Sequence, residues 1–216
     1  MIGLFLQVRL GSNRLPEKAL LPLAGMTVID HVLQRLKLVE ADVYALLTDS
    51  ESYSRLQPYT DYWGVNLFVG PAEDVLKRYV LAAKEYGTDH IIRATGDNPL
   101  VSYECANAIR EYHLEQNCDY SGFVGMPLGF GVEVLRTGAL EKALDLTESA
   151  YDREHVSPFL YNNPDMFSVC RPQAPQEYLC PDARITLDTD ADYRYISRIF
   201  AELHTGTPIA SKDIMQ

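Results

Sequence analysis

The 216-residue sequence is short of positive charge: 19 lysines and arginines stand against 30 aspartates and glutamates, a formal charge of −11 at pH 7. A nucleic-acid-binding surface needs a basic face to displace counterions from phosphates, so general DNA or RNA binding is excluded. A nucleotide site is not, because a few local cations with a divalent metal can hold a triphosphate on an acidic protein. Cysteine is scarce as well. Cys105, Cys118, Cys170 and Cys180 lie far apart with no Cys-x-x-Cys pair, and the five histidines add no zinc spacing. Four separate thiols, buried or indifferent in a reducing cytoplasm, are expected. No apolar run approaches the ~20 residues that span a bilayer. The opening MIGLFLQVRLGS has no basic region before its apolar stretch, so neither signal peptide nor anchor is expected. Repeats, low-complexity tracts and linkers are also missing, which predicts one domain over residues 1–216.

Short apolar runs alternating with amphipathic stretches fill this chain. Residues 1–8 read as a strand buried on both faces, since nearly every side chain is apolar. Residues 27–38 carry Val28, Ile29, Val32, Leu33 and Leu36 at helical spacing, with Thr27 as N-cap. Strands follow at 42–47, 65–69 and 90–94, with helices at 51–63 and 73–86, the latter ended by Gly87. This β-α-β rhythm predicts a mostly parallel sheet with helices on both faces, an α/β Rossmann-like domain. Beyond it come a helix at 102–116 and a strand at 119–123. The regularity then breaks at a Pro/Gly loop, 126–130. Strands are expected at 131–135, 166–171 and 184–187, and helices at 137–146, 153–161 and 190–203, with 172–181 a proline-rich loop.

In an open parallel sheet, ligands bind beyond the carboxyl ends of the strands. There the sequence places Arg9-Leu-Gly-Ser-Asn-Arg-Leu-Pro-Glu-Lys18. Gly11 lets the backbone approach a ligand, Ser12 and Asn13 can donate hydrogen bonds, and Arg9, Arg14 and Lys18 gather three cations on an acidic chain. Phosphoryl transfer depends on such positioning and charge neutralisation. The loop is not a P-loop, because Gly-x-x-x-x-Gly-Lys-Ser/Thr is absent. Asp97, in Thr95-Gly-Asp-Asn-Pro99, ends the fourth strand and faces the same crevice, with Gly96 clearing space. Asp188 follows the 184–187 segment. One carboxylate from each can share Mg²⁺, which takes one or two carboxylates plus phosphate and water oxygens. Asp190 is assigned to capping the last helix or to supporting the metal ligands from behind.

The loop resembles the Arg-x-Gly-Ser-x-Arg-Leu-Pro-x-Lys signature of the CMP-sugar synthetases, most nearly the spore-coat-polysaccharide-type cytidylyltransferases, with CMP-Kdo and CMP-acylneuraminate synthetases as cousins. The likeness continues in order through Pro71-Ala-Glu-Asp-Val-Leu-Lys-Arg-Tyr79, Arg93-Ala-Thr-Gly-Asp-Asn-Pro-Leu100, Gly131-Val-Glu-Val134, Arg153-Glu-His-Val156 and Leu187-Asp-Thr-Asp190. Glu17 departs from it, standing where the family usually has glycine.

The resemblance implies Mg²⁺ on Asp97 and Asp188, and CMP transfer from CTP to a sugar or sugar acid, Kdo-like or nonulosonate-like, for surface polysaccharide synthesis. It implies catalytic roles for Lys18, Arg14 and Asp97. Nucleotide contacts are expected from Arg9, Gly11, Ser12, Asn13, Arg14, Lys18, Thr48, Arg78 and Thr95. Asp49 is at least as well read as a helix cap. For Arg78 an intrahelical pair with Asp74 stands as the alternative. Arg93, in a buried-looking strand, serves either a structural ion pair or the site. The acceptor is expected beside Glu133, Arg153 and His155: arginine binds a carboxylate bidentately, and a histidine can orient or deprotonate a hydroxyl. Residues 1–123 would then hold the nucleotide, 124–182 the acceptor and a homodimer contact, and 183–216 the metal segment. Two rivals remain: a glycosyltransferase using Asp188-Thr-Asp190 as an Asp-x-Asp motif, and a non-catalytic nucleotide-binding protein.

Overall fold

In a computed structural model, which describes residues 1–12 and 14–215, the chain forms one seven-stranded sheet, a small hairpin and flanking helices. In chain order the strands are β1 (Ile2–Gln7), β2 (Pro22–Leu23), β3 (Met26–Thr27), β4 (Val43–Thr48), β5 (Asn66–Val69), β6 (His90–Thr95), β7 (Tyr120–Ser121), β8 (Glu133–Arg136) and β9 (Val169–Cys170). The helices are α1 (Val28–Leu36), α2 (Tyr53–Trp63), α3 (Val75–Tyr86), α4 (Tyr103–Gln116), α5 (Thr137–Leu146), α6 (Ala150–His155), α7 (Pro158–Tyr161), α8 (Asp190–Leu203) and α9 (Ser211–Ile214).

The sheet order is β5-β4-β1-β6-β8-β7-β9. From β5 to β6 all neighbours run parallel; β8 is antiparallel to β6 and to β7, and β9 is parallel to β7. β1 is therefore central, and its side chains alternate between two cores. Leu4 and Leu6 pack with Ile29, Val32 and Leu33 of α1, Ala106 and Ile109 of α4, Leu46 and Ile92. Phe5 packs on the other face with Leu76, Tyr79 and Val80 of α3, Ala139 and Leu140 of α5, Leu47 and Ile91. This is the mostly parallel α/β sheet, covered on both faces, that the sequence rhythm predicts.

Local signals explain the helix ends. Thr27 caps α1 in a reciprocal box with Asp30, and Asp74 caps α3 by accepting from the Lys77 N–H at 2.9 Å. Gly64 and Gly87 end α2 and α3 in the left-handed region. At α8 the cap is Thr189, boxed with Asp192, and not Asp190, which is already the first helical residue.

Other expectations are corrected. Residues 184–187 form no ladder; Arg184 makes a single bridge to Leu128, because its partner segment is the Pro/Gly loop around 126–130. Ile185 and Leu187 still bury in a third core with Phe130, Ile196 and Phe200. The helix expected over 153–161 is two short ones, broken where Val156 takes φ 74° and Pro158 has no N–H to carry the ladder on. Four free thiols were expected, but Cys118 and Cys170 form a disulfide tying the start of β7 to β9. Cys105 and Cys180 remain free. A bridge closing 52 residues is worth about 4 kcal/mol in chain entropy. Thiol titration in denaturant should count two reactive cysteines before reduction and four after, with a lower melting temperature for the reduced protein.

Buried histidines set an acid limit. The fully buried His113 ring lies 3.1 Å from His90 Nδ1 and 2.9 Å from Ser121 Oγ. Burial, with His90 and Arg136 adding to it, pushes its pKa down to about 3, and burial lowers His31 and His90 as well. The unfolded chain takes up these protons below about pH 6.5 while the folded chain refuses them, so stability falls as pH drops from 6.5 toward 3. Urea unfolding at pH 7, 6 and 5 should show a loss steepening toward about 1.4 kcal/mol per pH unit per histidine, with a shallower slope in His113→Asn.

Candidate active site

β1, β4 and β6 end at the same edge, and the loop that follows β1 folds back over it. The Ser12 N–H bonds Leu10 O at 2.9 Å, and Glu17 N–H reaches the same carbonyl at 3.3 Å, so the loop closes on itself. Ser52 Oγ, held beyond β4 by Asp49, accepts from the Leu10 N–H at 3.0 Å and pins the loop to the sheet. The result is a cleft of about 480 Å³.

Of the residues the sequence singles out, Arg9, Gly11, Ser12, Arg14 and Lys18 line it from the loop, Thr95 and Asp97 from the end of β6, Asp188 from before α8, and His155 from α6. Asn13 lies outside the described residues. Gly11 has nothing among the described residues within 4 Å of where a Cβ would sit. Gly96 is the opposite case: a Cβ there would collide with Val8, and only glycine lets the chain turn Asp97 into the cleft.

The centre of the cleft is a cation between two carboxylates. Lys18 Nζ is 2.5 Å from Asp97 Oδ2 and 2.8 Å from Asp188 Oδ1. Arg14 and Arg184 reach Asp188 as well, at 2.9 and 2.5 Å. Burial pushes the Asp188 carboxyl up, but Lys18, Arg14 and Arg184 outweigh it and hold the group below the usual carboxylate range. Among the described residues no cluster of three or more histidines, cysteines or carboxylates can hold a metal by itself. The donor set still suits a hard divalent ion, since both carboxylates converge on one point and a triphosphate supplies further oxygens.

Glu17, the departure from the glycine usual at its position, sits at φ 52°, the left-handed region that glycine favours. Both Nη atoms of Arg55 on α2 grip its carboxylate, which lies below its ordinary pKa for that reason. Among the described residues the Glu17 carboxylate pairs with Arg55 and makes no ion pair with Lys18.

Four expected contacts do not reach the cleft wall. Arg153 pairs with Asp74 at 2.5 Å and donates to the Leu144 and Thr147 carbonyls. On α6 each residue turns about 100°, so with Glu154 and His155 facing the cleft, Arg153 faces back onto α3. Asp74 is thereby taken, and Arg78 has no intrahelical partner. Arg78 is 1% exposed, donates to Ala72 O at 3.1 Å, and its Nε and Nη1 have no partner among the described residues. Thr48 is fully buried at the end of β4. Glu133 stands behind the wall, accepting from Arg93 Nη1 at 2.7 Å, Tyr120 OH at 3.1 Å and Ser157 Oγ at 2.8 Å.

Arg93 is what the sequence left undecided: it lines the cleft, braced by Glu133 and by Gln7 Oε1 at 3.3 Å. Glu154, part of the Arg153-Glu-His155 stretch expected beside the acceptor but given no role of its own there, also lines it and pairs with Arg9 at 3.4 Å. A lone charge inside an otherwise apolar strand was the available signal for Arg93.

A cytidylyltransferase family model matches residues 4–211. The chain belongs to the cytidylyltransferase family, whose members are CTP-using nucleotidyltransferases. Among curated relatives, protein MJ1063 of Methanocaldococcus jannaschii is 36% identical over 218 residues, covering all of this chain and 88% of that one. The spore coat polysaccharide biosynthesis protein SpsF of Bacillus subtilis is 29% identical, covering 97% and 90%. Among solved structures, a cytidylyltransferase from Leptospira borgpetersenii superposes with TM-score 0.90 at 28% identity over 99% of this chain and 91% of that one. A CMP:2-keto-3-deoxy-manno-octonic acid synthetase complexed with CTP gives 0.71 at 17% identity, over 93% and 98%, a likeness of fold. Among the described residues no helix of this family member is long and apolar enough to cross a membrane.

The Glu17–Arg55 pairing makes a prediction for the family site. Glu17→Gly should leave CTP affinity unchanged in calorimetry. Arg55→Ala should weaken it by freeing a carboxylate beside the phosphate loop, and the double variant should recover it. Equal affinity in Arg55→Ala and the parent would refute the pairing's role.

Proposed function

We propose that the chain transfers CMP from CTP to a hydroxyl of a sugar or sugar acid, Kdo-like or nonulosonate-like, releasing pyrophosphate, with Mg²⁺ as the metal. The observation that carries this reading is the convergence of Lys18, Asp97 and Asp188 in the cleft that Arg9 and Arg14 also line. The relatives' names agree with it, a spore coat polysaccharide protein in one case and a CTP-bound sugar-acid synthetase in the other.

Arg9, Arg14 and Lys18 hold the triphosphate, helped by the Ser12 hydroxyl. Asp97 and Asp188 would hold the metal, which supplies neutralisation of charge at the α-phosphate. The acceptor hydroxyl attacks the α-phosphorus, the bond to the bridging oxygen of the β-phosphate breaks, and pyrophosphate departs. The hydroxyl proton passes to His155, which lines the cleft. Arg93, fixed by Glu133, positions the acceptor. No covalent enzyme intermediate is needed, because the two substrates meet in one cleft.

Pyrophosphate release with CTP, Mg²⁺ and a panel of acidic sugars tests this. Asp97→Ala should abolish release while keeping the melting temperature, and Lys18→Ala should cut the rate by at least ~100-fold, the scale for losing a preorganised charge donor. Turnover retained in Asp97→Ala would sink the metal assignment. An unchanged rate in Lys18→Ala would remove the lysine from the chemistry.

A further inference from the structure

The Asp97–Asp188 pair is met by more positive charge than the pair itself carries. Asp97 and Asp188 contribute two negative charges, and Lys18, Arg14 and Arg184 all contact them. Lys18 is the inner cation: its side chain is 12% exposed, against 66% for Arg14 and 44% for Arg184. Its nitrogen stands within 2.8 Å of an oxygen of each carboxylate. A divalent ion held by the same two carboxylates would have to displace it.

We infer that Lys18 acts as a tethered counter-ion that competes with the metal, so that metal binds with the triphosphate and not ahead of it. The inference rests on the metal assignment proposed above. A divalent ion arriving alone meets an ammonium between its two ligands and a guanidinium on either side of Asp188, and like charges repel strongly where water is scarce. A triphosphate reverses the balance. Its oxygens draw Lys18 upward along a flexible four-carbon stem, taking over the ammonium while the carboxylates are released to the metal. Arg14 and Arg184 can follow the phosphates in the same way. When pyrophosphate leaves, Lys18 returns to the carboxylates and the metal loses its place. Nucleotide and metal are thereby coupled, each raising the other's affinity by the same factor.

Mn²⁺ titration of the purified protein without nucleotide, read by electron paramagnetic resonance of the free ion, tests this apart from turnover. The parent should bind Mn²⁺ weakly at the cleft. Lys18→Met should bind it at least ~10-fold tighter, within the usual range of coupling between two ligands. Lys18→Gln, which keeps a polar group of similar reach, should do the same, so that a folding defect in one variant does not decide the outcome. The gain should disappear when Asp188→Asn is added, which locates the ion. Tight Mn²⁺ binding by the parent alone, or no gain in either Lys18 variant, overturns the inference. Pyrophosphate release by the parent, measured separately, tells that result apart from a failure of the proposed reaction.

Discussion

β1 is hydrogen-bonded to a parallel strand on each side and covered by a helix layer on each face, so Leu4, Phe5 and Leu6 have no contact with water. Between its ends β1 carries no charged residue. The chain's cations nearest the N-terminus therefore have to wait until Gln7 is passed, and they emerge together at one edge. Because β4 and β6 run parallel to β1, their own ends open at that same edge, bringing Ser52 and Asp49 to one side of the loop and Thr95 and Asp97 to the other. The cleft is thus a consequence of parallel pairing around an apolar strand, and the chemistry is what the sequence places just beyond it.

Asp97 and Asp188 make a different demand. Two carboxylates brought to one point repel, and partial burial strengthens the repulsion. Some cation must stand between them for the segment before α8 to close against the end of β6, and Lys18 supplies it from a third part of the chain. The same convergence that needs a cation for stability is what would recruit a divalent ion for chemistry. Stability and function draw on one cluster, and its occupant decides which is served. Glu17 shows how narrow the tolerance is. A carboxylate one residue from Lys18 is compatible with this balance only because Arg55 holds it facing α2.

Much of this could be read from the residues. The strand and helix rhythm over the first hundred residues survives because the central strands are apolar runs and α1 and α3 start at a Thr or Asp cap. The loop after β1 and Asp97 drew notice because they follow strand ends, where position alone implies exposure to a common crevice, whereas Asp188 reaches that crevice from a segment that forms no strand. Where the reading failed, the outcome depended on partners distant in sequence. Residues 184–187 have strand-like composition, but the neighbour they meet is a Pro/Gly loop with no ladder to offer. Nothing about Cys118 and Cys170 individually says that β7 and β9 are adjacent, and adjacency is the whole condition for the disulfide. Asp190 looked like a cap by residue type, and Thr189 with Asp192 won because only that pair satisfies both N–H groups reciprocally.

Arg153 and Arg93 exchange places for a related reason. Arg153-Glu-His155 looked like one binding stretch because its residues are contiguous, yet a helix spreads three consecutive side chains over most of its circumference. Two face the cleft and the third closes a contact with Asp74. In its place a guanidinium from the sheet lines the cleft. Arg93 is anchored in a central strand, and Glu133 behind it is itself fixed by Tyr120 and Ser157. The two walls consequently differ in mobility. Arg9 and Arg14 ride on a loop with much of their length in solvent, suited to following phosphates as a bond breaks. Arg93 is held by a lattice of strands and buried hydroxyls, suited to keeping one reactant still while the other departs.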